Sequence, residues 1–258
     1  MYQRLIGTKN IEQVEIALLI LAFVLNLSYP CEAQGPDSLI EKIQKSLPSL
    51  VAIKTLNKAF LAQEVAGNEH SVNPLPPGLG VPFERSGAGV IIDTSGLIVT
   101  NAHLVYQAQE IRVTCHDGHS LPADVVSVVP QEDLAFLRIT SFEPLPVIPM
   151  ADSDLIELND DVINVGNSDF LKETISGGKV IGVGTSHQEQ LKGNKRVELI
   201  QTNINLYKGD SGGPLLDSKG RLIGLMVAKE LNAERSSFAI PVNKIRKYGS
   251  ELMKTKTE

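Results

Sequence analysis

From residue 50 to residue 242 the chain repeats one pattern, an apolar or alternating run of four to seven residues closed by Gly, Pro, Asn or Asp. The dozen runs read LVAIKTL, GVIID, LIVT, IRVTC, ADVVSVV, LAFLRI, DVINVG, KVIGVG, VELIQTN, PLLD, LIGLMVA and SFAIPV. Runs of this length between turn-forming residues predict strands. Almost no helical periodicity separates them, so the crossover helices that a parallel sheet needs are missing. The pattern predicts an all-β fold of antiparallel strands, in barrels or a sandwich. Helical spacing appears only at the two ends. In DSLIEKIQKSLPSL, Ser38 and Glu41 have capping-box spacing, and Leu39, Ile40, Ile43 and Leu47 share one face before Pro48. NKIRKYGSELMK predicts the second helix. The stretch 62–83 carries four prolines and reads as a long surface loop.

Ahead of this pattern, Arg4 and Lys9 precede an apolar run from Ile16 to Leu27, and Cys31-Glu32-Ala33 has the small-x-small form of a cleavage site. Residues 1–33 therefore read as a secretory signal peptide, with an uncleaved N-terminal membrane anchor as the alternative. The folded part, 34–258, is expected outside the cytoplasm, periplasmic or secreted. An anchor that is kept would give it a weak membrane association. Cleavage would remove Cys31 and leave Cys115 without a disulfide partner, so stability must come from a packed core. The formal net charge of −6 supplies no basic field for a phosphate backbone, and nucleic acid is not expected as a partner.

Three glycines crowd around Ser211 in YKGDSGGPLLD. Gly209 to Gly213 satisfies G-x-S-x-G, the nucleophile elbow of α/β-hydrolases, but that reading requires a histidine after the serine. The histidines are His70, His103, His116, His119 and His187, and none follows Ser211. The order His, Asp, Ser remains. A serine hydroxyl is a poor nucleophile at neutral pH and needs a base, which in turn needs an orienting group. His103, at the end of the apolar strand in GLIVTNAHLV, is the expected base, and Asp133, at the mouth of the buried strand in QEDLAFLRI, the expected orienter. The backbone N–H groups of Gly209 and Ser211 could converge on the oxyanion that forms during attack.

The blocks SGAGVIIDTSGLIVTNAHLV, DLAFLRI, GDSGGPLLDSKGRLIG and FAIPVNKI, with SLIEKIQKSLPSLVAIKT before them, resemble the HtrA/Deg branch of chymotrypsin-fold serine proteases from Ser38 to Ile245. The resemblance implies two six-stranded antiparallel barrels with the active site in the cleft between them, base and orienter from the first and serine from the second. It implies a serine endopeptidase acting on unfolded or damaged exported polypeptides, without metal or cofactor. The alternative is a catalytically silent, chaperone-like binding module on the same fold. By the same resemblance, Asn205, six residues before the serine, forms the floor of the primary specificity pocket. With no acid there, an uncharged residue is expected before the scissile bond. A trimeric homo-oligomer is implied by the family alone. The chain departs from the family in two ways: no PDZ domain is expected after the protease, and Asp210 stands where the family usually has Asn.

Two other motifs receive plainer readings. In CHDGH, from Cys115 to His119, Asp117-Gly118 is a hairpin-turn signal that points the flanking side chains to solvent. No partner pair for a metal site accompanies it. Cys115 itself reads as a small buried hydrophobe. The basic residues near the C-terminus, Lys244, Arg246, Lys247, Lys254 and Lys256, read as a solvated helix face.

Overall fold

Strands form in the computed structural model where the sequence repeats its apolar runs. The structure describes residues 39–59, 81–168, 172–185, 198–229 and 236–254. The leader, Cys31 and nearly all of the 62–83 stretch lie outside the described residues. Residues 42–258 form one unit by contact.

The first half supplies β1 (Leu50–Ala59), β2 (Val81–Asp93), β3 (Leu97–Asn101), β4 (Glu110–Cys115), β5 (Ser120–Pro122), β6 (Asp124–Val129) and β7 (Leu134–Arg138). They pair antiparallel in the order β5-β4-β1-β2-β3-β7-β6. The second half supplies β8 (Asp161–Ser168), β9 (Lys172–Thr185), β10 (Leu199–Thr202), β11 (Pro214–Asp217), β12 (Leu222–Lys229) and β13 (Ser237–Pro241). These close into a barrel in the order β10-β13-β12-β11-β8-β9. Three helices complete the described chain: α1 (Leu39–Ser46), α2 (Ala102–Val105) and α3 (Val242–Lys254).

The fold is thus all-β, but the expectation of two closed six-stranded barrels needs correcting in the first half. Its sheet has seven strands and closes only in part. The two edge strands, β5 and β6, are separated by Ala123 alone, so the sheet must curl for one bent run to reach both β4 and β7. The break comes at Pro122, which has no N–H to donate. Ala123 then gives its N–H to the Ile111 carbonyl at 3.0 Å.

Strand alternation sorts the core. Along β3, Leu97 and Val99 face one cluster and Ile98 the other, which is why this strand reads as a continuous apolar run. Val51, Ile53, Ile91, Ile98, Val113 and Leu137 form the core of the first sheet. Val162, Val180, Ile200, Leu215, Ile223 and Met226 form that of the barrel. A third cluster joins the halves, with Val90, Val99 and Phe136 from the first, Val165, Leu216 and Leu225 from the second, and Val242 and Ile245 from α3. Of the apolar stripe predicted on α1, Ile43 enters this cluster and Leu47 lies at its edge.

On the basic C-terminal helix Arg246 and Lys247 are exposed, as read, while Lys244 is not. Lys244 on α3 pairs with Glu132 at 2.7 Å, both largely shielded. Arg246 donates to the Ala151 carbonyl at 2.6 Å, and the Lys247 ammonium lies 5.5 Å from the Tyr248 ring centroid. The Asp117-Gly118 hairpin forms as read, with the Cys115 N–H on the His119 carbonyl at 2.8 Å.

Candidate active site

The TNAH stretch leaves β3 directly into α2, a helix of four residues. A helix so short makes too few internal bonds to stand alone, so neighbouring residues must hold it. Asp133 does this from the start of β7, the strand paired directly with β3. It follows a 3-10 turn over Pro130–Glu132 and adopts a left-handed backbone with φ 51°. Its carbonyl accepts the Ala102 N–H at 3.0 Å and Asn101 Nδ2 at 3.3 Å. Its carboxylate accepts the His103 N–H on Oδ1 at 2.9 Å and contacts His103 Nδ1 through Oδ2 at 2.8 Å. One carboxylate therefore fixes both the backbone and the ring of His103. An ionised carboxylate can only accept, so this contact selects the tautomer protonated on Nδ1 and leaves the Nε2 lone pair outward. The Asp133 side chain is 9% exposed and that of His103 46%, which places the orienter behind the base and the base at the surface.

Ser211 lies on the loop between β10 and β11. The Asp210 N–H donates to the Tyr207 carbonyl at 3.1 Å, and the Tyr207 N–H returns to Asp210 Oδ2 at 2.7 Å. Asp210 is fully buried and serves as the internal clasp of this turn. Gly212 donates to the Met226 carbonyl and Met226 to the Gly213 carbonyl, each at 2.8 Å, which ties the loop to β12. The loop also reaches the first half: Ala88 N–H on β2 donates to the Ser211 carbonyl at 2.8 Å. Gly212 has φ 81°, and a Cβ there would lie 2.1 Å from the Ala88 carbonyl oxygen. Thr100 Oγ1, three residues before His103, donates to that same oxygen at 2.7 Å.

Gly87 shows how near the base and the serine are brought. A Cβ at Gly87 would meet Leu104, the neighbour of His103, at 2.4 Å and the Ser211 carbonyl at 2.8 Å. Among the described residues no hydrogen bond joins the Ser211 hydroxyl to the His103 ring, and such bonds commonly tighten only when substrate binds. Gly209 has φ 105°, a backbone open chiefly to glycine. Among the described residues, the N–H groups of Gly209 and Ser211 meet no protein acceptor. Asn205 is half-buried on the connection from β10 to the loop. The backbone contacts thus bring the segment that carries His103 and the loop that carries Ser211 against the same stretch of β2.

Sequence reading did not single out Asn101, Arg85 or Thr55. Asn101 sits in the N-cap position of α2, a signal that TNAH carries. Arg85 and Thr55 carry no local signal, because they reach the site across the sheet. At the hairpin, His119 Nδ1 lies 3.1 Å from Asp117 Oδ2 with both exposed, and among the described residues no three His, Cys, Asp or Glu side chains gather as metal ligands. Among the described residues no helix is long and apolar enough to cross a membrane.

Comparison with known proteins shows what the chain is similar to. The trypsin-like peptidase domain family matches residues 87–225. The periplasmic pH-dependent serine endoprotease DegQ of Escherichia coli is 33% identical over 260 residues, covering 95% of this chain and 56% of the relative. The putative serine protease HhoB of Synechocystis is 30% identical over 236 residues, covering 88% of this chain and 56% of that one. The chain thus spans about half the length of these curated relatives. Among solved structures, the HtrA-type protease AlgW with a decapeptide superposes with a TM-score of 0.68 at 25% identity, over 84% of this chain and 68% of that one.

Proposed function

The chain belongs to the trypsin-like peptidase family, on its HtrA-type branch, and from that premise we propose that it is a serine endopeptidase using Ser211, His103 and Asp133. The observation that carries this reading is the double hold of Asp133 on the backbone and ring of His103, at 2.9 and 2.8 Å. Ser211 Oγ attacks the scissile carbonyl as His103 Nε2 takes its proton, and the Gly209 and Ser211 N–H groups stabilise the oxyanion. The imidazolium, steadied by Asp133, then gives the proton to the leaving amine, and an acyl-enzyme remains on Ser211. Water, deprotonated by His103, attacks the ester and returns the serine. No metal or cofactor enters these steps.

We read residues 34–258 as the protease domain after a leader, and the partly closed first sheet as the counterpart of the family's first barrel. The periplasmic relative supports export, and unfolded polypeptides as substrates rest on family likeness. Asn205 offers an uncharged floor to the residue before the scissile bond, and a peptide-library profile dominated by Lys and Arg would refute that preference. A trimer, tested by size-exclusion chromatography with light scattering, rests on family likeness.

Fluorophosphonate labelling of the purified chain beside Ser211→Ala, with casein digestion followed in the same samples, tests the catalytic reading. Labelling and digestion are expected together in the wild type, and neither is expected in Ser211→Ala. A folded wild type that takes no label would replace catalysis with a silent binding module, and labelling without casein digestion would point to a narrower processing enzyme.

A further inference from the structure

The carbonyl groups of α2 and its C-cap can be accounted for one by one, and the account singles out a residue distant in sequence. Ala102 accepts the Tyr106 N–H at 3.0 Å, which is the helix's own bond. Val105 accepts the Ala108 N–H at 3.0 Å in the turn that follows. The other three face the β1–β2 pair. Leu104 accepts the Thr55 hydroxyl at 3.0 Å. His103 and Tyr106 both accept Nη1 of Arg85, at 2.8 and 3.0 Å. Thr55 and Arg85 are direct cross-strand partners, so one register position of the sheet supplies all three donors.

The two residues differ in setting. Thr55 is buried and receives Asn57 Nδ2 on its hydroxyl at 3.0 Å, so it is part of the packed interior. Arg85 is at the surface, its guanidinium 5.2 Å from the Phe83 ring centroid. It bridges the carbonyl of His103 and a carbonyl one helical turn later. A cation there complements the negative end of α2, and hydrogen bonds from a charged donor are stronger than neutral ones. Asp133 secures the N–H side of His103, and Arg85 secures its carbonyl side.

We propose that Arg85 is a positioning residue for His103, closing the clamp that Asp133 opens; this rests on the reading of His103 as the general base. Because Arg85 is only half-buried and lies outside the packed core clusters, its loss should cost little global stability and act on the placement of the imidazole. A shift of about 1 Å in a reacting group can cost on the order of a hundredfold in rate. A change of about tenfold in kcat is therefore expected for Arg85→Ala, with KM and Tm near wild type. Arg85→Lys keeps a donor and the charge but loses the planar fork, so it should recover part of the loss, and Arg85→Met, which keeps the apolar stem, should recover none.

The experiment measures kcat, KM and Tm for these three variants with a peptide substrate. It also records ring 1H–15N correlations of the histidines, a readout that needs no activity. In Arg85→Ala the His103 ring signals should shift or broaden while those of His116 and His119 stay fixed. Kinetics within twofold of wild type with unmoved His103 signals would overturn the proposal. So would a kcat loss that tracks a fall in Tm and is not relieved by Lys. If the wild type proves inactive, the catalytic reading fails, and the ring signals alone decide whether Arg85 holds His103.

Discussion

Asp133 carries a backbone angle that few residues other than Gly, Asn and Asp adopt, and here that angle lets its carbonyl and its carboxylate serve the same short helix. Replacing it with Asn keeps the size but puts a donor beside His103 Nδ1, favouring the wrong tautomer. Asp133→Asn should lower kcat by about four orders of magnitude with the fold retained, measured by burst kinetics and circular dichroism. Gly212 is constrained differently, by a positive φ and by the approach of the Ala88 carbonyl. Gly212→Ala should destabilise the chain by about 2 to 4 kcal/mol in urea unfolding and abolish labelling at Ser211, because the loop must leave β2 to make room. Cys115 illustrates the opposite case, a reactive side chain held inert. Burial, and secondarily the charge of Asp117, push its thiol above the ordinary value, so it stays protonated at neutral pH. Peptide-resolved mass spectrometry should show slower iodoacetamide alkylation at Cys115 in the folded chain than in urea, the gap narrowing as pH rises.

Helix α3 works as a brace through Lys244 and Asn243, while Arg246 and Lys247 stay exposed. Lys244 reaches Glu132, the residue before Asp133, while Asn243 Nδ2 donates to Asp152 Oδ1 at 2.7 Å. Asp152 belongs to the segment that leads into β8, so the helix ties that segment to the turn carrying Asp133. Its carboxyl lies below the usual range because of the bond from Asn243, the Asp154 N–H and the charge of Arg246. A depressed folded value means that this contact stabilises fully above the unfolded value and loses its contribution as pH falls through the folded one. The Tm gap between wild type and Asp152→Asn should therefore be widest near neutral pH and close as pH falls into the acid range. Basic composition suggested solvation because charges are usually exposed, and only the packing of α3 shows which of them find partners. Strand β9 was similarly legible only in its second part. The KVIGVG run was visible, but Ser176, Gly177 and Gly178 interrupt the pattern that pairing with β8 restores.

The two halves share their largest core, into which α3 inserts Val242 and Ile245. The Ala88 to Ser211 bond then ties the loop of one half to a strand of the other. Unfolding of either half alone would expose this shared surface, so calorimetry should show one transition. Ile245→Ala should lower stability by about 3 kcal/mol while keeping that transition single. A variant that splits it in two would show that the halves are independent. The position of the proposed site follows from this arrangement: His103 and Asp133 come from the first half and Ser211 from the second.

The strand-rich fold class, the order of His103, Asp133 and Ser211, the hairpin at Asp117-Gly118 and the glycine-bound loop were all determined by the sequence, because periodicity, turn chemistry and chain order are local properties. The partial closure of the first sheet, the reach of Lys244 to Glu132 and the bridge from Arg85 to His103 were decided by tertiary structure alone. Each joins elements distant in sequence, and its geometry exists only once those elements have taken their register and buried their apolar faces.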